Sequence, residues 1–177
     1  ATLPLVTKAD GTKFGKTESG TVWLDPAKTS PYAFYQFWMN TADEDAYRFL
    51  RYFTFLSIDA ITEIEQSDAE IQGRKQVQSL LAAEVTQLVH GEQGLAAAKR
   101  ISDALFSGNL NGLAEADFAQ LAFDGLPSTE VQSGCVGLAE LLVKSGVAET
   151  PRGEVTLGQA RKFIKSNAIA VNGTKIA

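Results

Sequence analysis

The sequence predicts a mainly α protein, a helical bundle followed by a small, truncated α+β module. Apolar residues recur at three- and four-residue spacing through most of residues 31–123, the pattern of helices with one buried face. Gly125 to Gly134, with Pro127, Ser128, Thr129 and Ser133, interrupts that pattern and reads as a linker. Beyond it, a basic helix leads to Asn172-Gly173 between two apolar pieces, the strongest short-range signal for a hairpin.

The elements follow in order. Residues 1–20 are rich in Lys, Thr and Gly, and Asp10-Gly11 marks a turn. An entry strand, Leu3 to Val6, is expected there, followed by a mobile loop with few apolar anchors. Thr21 to Leu24 suits a short extended piece. Ser30-Pro31 is a helix start, because Ser caps free N–H groups and Pro is tolerated at the first helical position. Tyr32 to Met39 should be a buried helix. A second is expected from Asp43 to about Phe55, with Asp43, Glu44 and Asp45 at the positive end of its dipole. Ser57 or Asp59 can cap a third through Gln66. Gln76 to Val89 is a strong helix that Gly91 ends, and Glu92 to Phe106 resumes it. Glu115 to Phe123 is a further short helix. After the linker come a helix over Val136 to Val143, one over Leu157 to Ser166 capped by Thr156, and the hairpin of Ala168–Val171 with Thr174–Ile176. A two-strand hairpin is marginal alone, so the module looks cut short.

A chain of 177 residues suits one medium domain or two small ones. Its 45% apolar and 21% charged residues are ordinary for a globular protein. No apolar run approaches the roughly 20 residues of a membrane span. Ala1 to Lys16 lacks the basic start and apolar block of a secretory signal. The absence of an initiator Met points to a chain that begins partway through a longer protein. A single cysteine, Cys135, cannot form an internal disulfide, which fits a reducing cytoplasm.

Charge is unevenly spread. The net charge is −5, which excludes a uniformly basic nucleic-acid binder. Thr41 to Glu130 carries 6 Lys/Arg against 15 Asp/Glu, a net of −9. Leu141 to Ala177 carries Lys144, Arg152, Arg161, Lys162, Lys165 and Lys175 against Glu149 and Glu154, a net of +4. Such asymmetry points to a polyanion partner at one end, although six cations also simply solvate a surface.

Three groups of residues are candidates for chemistry. In Lys13-Phe14-Gly15-Lys16-Thr17, two ammonium groups flank a bend at Gly15 and a hydroxyl follows. Held where charge develops, such groups neutralise phosphate oxygens. The spacing is not that of a Walker A loop, and the plain alternative is an exposed polar loop. In the tail, Arg161 and Lys165 are one helical turn apart and share a face, with Lys162 beside them. Lys144, Arg152 and Lys175 come from flanking elements, a pattern suited to a phosphate backbone. The third group, Tyr32, Phe34, Tyr35, Phe37 and Trp38, could stack on unpaired bases, but packing favours plain core. His90 has no companion ligands and reads as structural, with no metal site expected. Cys135, at a helix start without a nearby His, reads as a half-buried thiol.

The run Lys8 to Thr17, with Val22-Trp23-Leu24-Asp25, Thr29-Ser30-Pro31-Tyr32 and Phe34 to Trp38, resembles bacterial tyrosyl-tRNA synthetases. The resemblance continues through Asn40 to Asp43, Leu88 to Gly91, Ala98 to Ile101, Gly158 to Lys162 and Val171-Asn172-Gly173, essentially the whole chain. Lys-Phe-Gly-Lys-Thr matches that family's form of the KMSKS signature. The resemblance implies a class I synthetase that activates tyrosine with ATP, Mg as its counter-ion, and transfers it to tRNA(Tyr). It implies that Lys13 and Lys16 are catalytic and that Thr17 joins them in gripping ATP. It assigns residues 1–30 to the loop and its connection from a missing catalytic domain, and 31–125 to a helical anticodon-binding domain. Residues 126–134 are then a linker, and 135–177 part of an RNA-binding domain like that of ribosomal protein S-four. The implied parent is a cytoplasmic homodimer joined through the missing domain, and this piece is expected to be a monomer unable to activate tyrosine. The rivals are a stand-alone RNA-binding adaptor, a tryptophanyl relative and a helical scaffold without RNA. The two-lysine loop and basic tail argue against the scaffold, and the Lys-Phe-Gly-Lys form and the tail against the tryptophanyl relative.

Overall fold

The computed structural model describes residues 5–17, 20–71, 76–132, 134, 136–150 and 153–176, with the backbone alone at Lys16, Thr17, Gly20, Glu149 and Thr150. These residues form a mainly helical chain with three antiparallel strand pairs of two strands each. Contacts group the chain into two compact units, Ala1–Arg100 and Ile101–Ala177.

In the first unit, β1 (Lys16–Thr17) pairs with β2 (Gly20–Thr21), and α1 (Pro31–Met39), α2 (Asp43–Phe53) and α3 (Ile58–Glu70) follow. The starts of α1 and α3 are those the sequence predicts. The Ser30 hydroxyl accepts the Ala33 N–H at 2.9 Å and the Ser57 hydroxyl accepts the Ala60 N–H at 3.2 Å, so each satisfies a free donor. Helix α4 (Val77–Ser107) contains Gly91 at φ 70° and ψ −178°, outside helical geometry. The predicted break therefore stands, since only glycine adopts such a backbone freely.

Phe34, Tyr35, Trp38, Phe49, Leu50, Ile61, Leu81 and Val85 are buried in one apolar cluster. The aromatic run is thus core at Phe34, Tyr35 and Trp38, with Tyr32 and Phe37 half-buried. Helix α3 runs past the expected end at Gln66 because its last turn has a tertiary task. The buried Asp68 carboxylate accepts the N–H groups of Gln76 at 3.0 Å and Val77 at 3.1 Å, capping α4 from another helix. The Tyr47 hydroxyl donates to the same carboxylate at 3.0 Å. Burial first, and then that bond, push the Tyr47 phenol up to about 12.

The expected entry strand falls partly on Leu3 and Pro4, outside the described residues; the described part, Leu5 and Val6, is not strand. The expectation of few anchors for residues 1–20 is corrected. Phe14 packs among Phe37, Trp38, Phe49 and Phe53, with ring centroids 4.8–5.8 Å apart.

In the second unit, a 3-10 turn (Leu110–Gly112) precedes α5 (Glu115–Phe123), where the buried Asp117 carboxylate accepts the Ala114 N–H at 2.8 Å. Then come α6 (Leu138–Ser145), β3 (Glu149–Thr150), β4 (Gly153–Glu154), α7 (Leu157–Lys165), β5 (Ile169–Val171) and β6 (Thr174–Ile176). The β3–β4 pair is not foreseen by the sequence. Thr156 and Gln159 form a reciprocal capping box at the start of α7. Asn172 at φ 49° and Gly173 at φ 79° give the turn that the Asn-Gly pair predicts. Helices α6 and α7 pack on each other over a small core of Leu142, Val155 and Ala160.

Candidate functional site

The two-lysine loop is built from its base. Residues Val6 to Phe14 close on themselves through a bridge between Thr7 and Lys13 and a bond from the Phe14 N–H to the Val6 carbonyl at 3.1 Å. At the tip, the Gly11 N–H bonds the Lys8 carbonyl at 2.9 Å. The Asp10 carboxylate accepts both the backbone N–H of Thr12 at 2.8 Å and its hydroxyl at 2.6 Å. These bonds hold the Asp10 carboxyl below its ordinary value, the Thr12 hydroxyl contributing most.

The candidate residues alternate with the anchor. Lys13 is exposed, Phe14 turns inward, Gly15 bends at φ 82°, and Lys16-Thr17 continue as β1. Lys13 and Lys16 thus flank the half-buried Phe14 along the chain. The side chains of Lys16 and Thr17 lie outside the described residues.

Two residues of α2 hold this loop, Asp45, expected only to serve the helix dipole, and Arg48, for which the sequence suggested no role. The Asp45 carboxylate accepts the Ala9 N–H at 3.1 Å, and the Arg48 guanidinium donates to the Thr7 carbonyl at 2.6 Å. Asp45 and Arg48 also pair with each other across one turn of α2. Asp45 is only 3% exposed. Its signal in the sequence was present but ambiguous: an acidic first turn serves the helix dipole equally well.

In the tail, Arg161 and Lys162 lie mid-helix in α7, Lys165 ends it, and Lys175 lies in β6 opposite Ala170. All four are exposed. Among the described residues, no salt bridge engages any of them. Exposed cations of this kind can meet an outside anion. Lys162 and Lys165 also suit the negative end of the α7 dipole, an ordinary structural use. Lys144 has a partner of its own, because its ammonium donates to the Glu130 carbonyl at 2.6 Å and ties α6 to the stretch before it. Arg152 and Cys135 lie outside the described residues.

His90 is half-buried and sits edge-on to Phe34, centroids 4.8 Å apart. Its Nε2 is buried without a hydrogen-bond partner, and burial lowers its pKa. Among the described residues, no cluster of three or more His, Cys, Asp or Glu could hold a metal. No described helix is long and apolar enough to cross a membrane.

Comparison with known proteins adds the following. Residues 1–107 match the family model of class I tRNA synthetases (W and Y). Residues 117–177 match the C-terminal domain model of SYY-like tyrosine–tRNA ligases. The tyrosine–tRNA ligase of Aliivibrio fischeri strain MJ11 is 58% identical over 176 residues, covering 99% of this chain and 40% of that protein. That of Cronobacter sakazakii is 58% identical over 174 residues, covering 98% and 39%. A C-terminally truncated Aspergillus nidulans mitochondrial tyrosyl-tRNA synthetase aligns with a TM-score of 0.47 and 34% identity, over 54% of this chain and 27% of that one. The chain thus spans about 40% of the length of the curated relatives it matches.

Proposed function

Because this chain belongs to the class I tRNA synthetases, in their tyrosyl branch, we propose that it is the tRNA-binding part of a tyrosine–tRNA ligase. One observation carries the reading. A Lys-Phe-Gly-Lys-Thr loop and a basic helix–hairpin module stand on one chain, each within a span that matches its own synthetase family model. In the parent enzyme, tyrosine and ATP form tyrosyl-adenylate with release of pyrophosphate, and the tyrosyl group then passes to tRNA(Tyr). Lys13 and Lys16 neutralise phosphate oxygens as charge builds in the activation step, and the Thr17 hydroxyl joins them on ATP. Mg enters with ATP as its counter-ion. The adenylate pocket and the dimer contact belong to residues of the parent outside this chain, which by itself is a monomer without activation chemistry. The parent works in the cytoplasm.

On this reading residues 1–30 are the loop and its connection, 31–125 the helical anticodon-binding domain, 126–134 a linker, and 135–177 the S-four-like module. Arg161, Lys162, Lys165, Lys144, Arg152 and Lys175 are the cations offered to tRNA phosphate. The deciding experiment is a salt titration of tRNA binding by the full ligase, wild type against Arg161→Ala/Lys162→Ala/Lys165→Ala. The triple variant should bind more weakly at low salt. Its dependence of log K on log salt should be shallower by about 2 to 3, since each lost phosphate contact removes slightly less than one unit. Identical affinities and slopes would reduce these cations to surface solvation.

A second reading, a stand-alone RNA-binding adaptor, draws on the core that the tail keeps for itself, Leu142, Val155 and Ala160. It requires this chain alone to bind tRNA as tightly as the full ligase does. A much weaker grip by the isolated chain would remove it.

A further inference from the structure

We infer that Asp45 and Arg48 are positioning residues for the activation step, because they clamp the base of the two-lysine loop to helix α2. The inference rests on the ligase reading and adds to it residues that touch neither ATP nor tyrosine.

The loop has two arms, and each is held differently. The arm entering the tip starts at Val6, which packs against the apolar cluster, and from Thr7 to Ala9 polar bonds hold it. Arg48 donates to the Thr7 carbonyl, and Asp45 accepts the Ala9 N–H. The arm leaving the tip is held by the Phe14 ring in the aromatic cluster. The Thr7–Lys13 bridge ties the arms together. A displacement of Thr7 is therefore passed to Lys13 across one backbone pair.

The clamp itself is rigid for a physical reason. Asp45 is buried, so its bonds act where water competes little, and a buried carboxylate must keep its partners. Arg48 supplies one of those partners through Nη2, and the same nitrogen also donates to the loop carbonyl, while its Nε is buried without a hydrogen-bond partner. Its guanidinium also lies 5.5 Å from the Phe49 ring centroid, beside the ring on which Phe14 packs. The pair thus sets the height of one arm and adjoins the socket of the other. A loop whose ammonium groups act only at the right distance from a phosphate needs such a fixed base. Displacements near 1 Å cost on the order of a hundredfold in rate.

The test has two arms. In this chain, amide exchange should show the Ala9 N–H losing protection in Asp45→Ala while the amides of α2 keep theirs. Unchanged protection at Ala9 would overturn the clamp. In the full ligase, pre-steady-state activation should slow on the order of ten- to a hundredfold in Asp45→Ala and Arg48→Gln, with tyrosine affinity within about twofold of wild type. Asp45→Asn, which keeps an oxygen for the Ala9 N–H, should recover part of the rate. Arg51→Gln, on α2 like the clamp residues, removes an exposed ion pair to Glu65 of α3 and should leave the rate unchanged. If Lys16→Ala slows activation but Asp45→Ala and Arg48→Gln do not, the clamp is wrong and the ligase reading stands. If Lys16→Ala activates at the wild-type rate, the ligase reading fails and this proposal fails with it. Should Asp45→Ala not fold, Arg48→Gln and Asp45→Asn decide by the same readouts.

Discussion

The two ends of the chain use positive charge in opposite ways. At the loop, Lys13 stands beside a ring packed among four aromatic residues, and a buried carboxylate and a guanidinium hold the backbone before it. At the tail, Arg161, Lys162, Lys165 and Lys175 project from a helix and a hairpin over a core of three buried residues. The first arrangement anchors the backbone that carries Lys13, which suits the proposed action at a single phosphate. The second presents several exposed charges, which suits the proposed polyanion with a phosphate at every step. Precision is supplied by burial, and it depends on residues far apart in sequence. Capture needs only a scaffold that local signals can build.

That contrast can be broken or sharpened by measuring stability, beginning with the change that should cost most. Asp68→Ala removes the acceptor of the Gln76 and Val77 N–H groups and of the Tyr47 hydroxyl. Donors stranded in the interior should cost about 3 kcal/mol, read by urea unfolding of this chain. A loss no larger than a surface substitution would mean that α4 does not depend on its remote cap.

Phe14→Ala should come next, at about 2 to 3 kcal/mol, because the ring is half-buried and the cluster cannot fully close over its space. Thermal or urea unfolding checks it. A near-neutral result would show that the loop is not anchored and that the two ends are alike.

In the tail, Gly173→Ala should cost about 1 to 2 kcal/mol. Its φ of 79° disfavours a side chain, and an added Cβ would come within 2.8 Å of the Gly108 carbonyl oxygen. Unfolding followed by a probe within residues 136–176 measures it. A cost above that of Phe14→Ala would invert the comparison.

The smallest effect is a pH slope at His90. Burial lowers its folded pKa below the unfolded value, so the folded state favours the neutral ring. Its contribution is complete above the ordinary histidine range and is lost as the pH falls through the folded pKa. Urea unfolding at about pH 7.5 and pH 5.5 should show wild type losing more stability than His90→Phe. Equal losses would place the acid sensitivity elsewhere. Tyr47 works at the other extreme. Its pKa, raised from 10.0 to about 12, means that stability is held below pH 10 and drains away as the pH climbs toward 12.

The sequence by itself determined several features whose cause lies within about four residues, although not the short β3–β4 pair. Ser30, Ser57 and Thr156 cap helices through N–H groups three positions on, Gly91 breaks α4, and Asn172-Gly173 turns the last hairpin. Periodic apolar positions such as Phe34, Trp38, Leu50, Leu81, Val85 and Ile101 are buried because a helix repeats its faces regardless of what packs against them, while Leu88 and Leu105 of α4 stay exposed. Tertiary structure alone decided which residues hold the candidate site. Asp45 meets Ala9 across 36 residues, Arg48 meets Thr7 across 41, and Asp68 reaches Val77 from the preceding helix. It also gave Lys144, expected as one of six tail cations, a partner in the carbonyl of Glu130. A carboxylate in a first turn is equally suited to the helix dipole, a cap or a distant amide. Only the folded chain brings one of those partners within 3 Å or so, and burial then makes that partner obligatory.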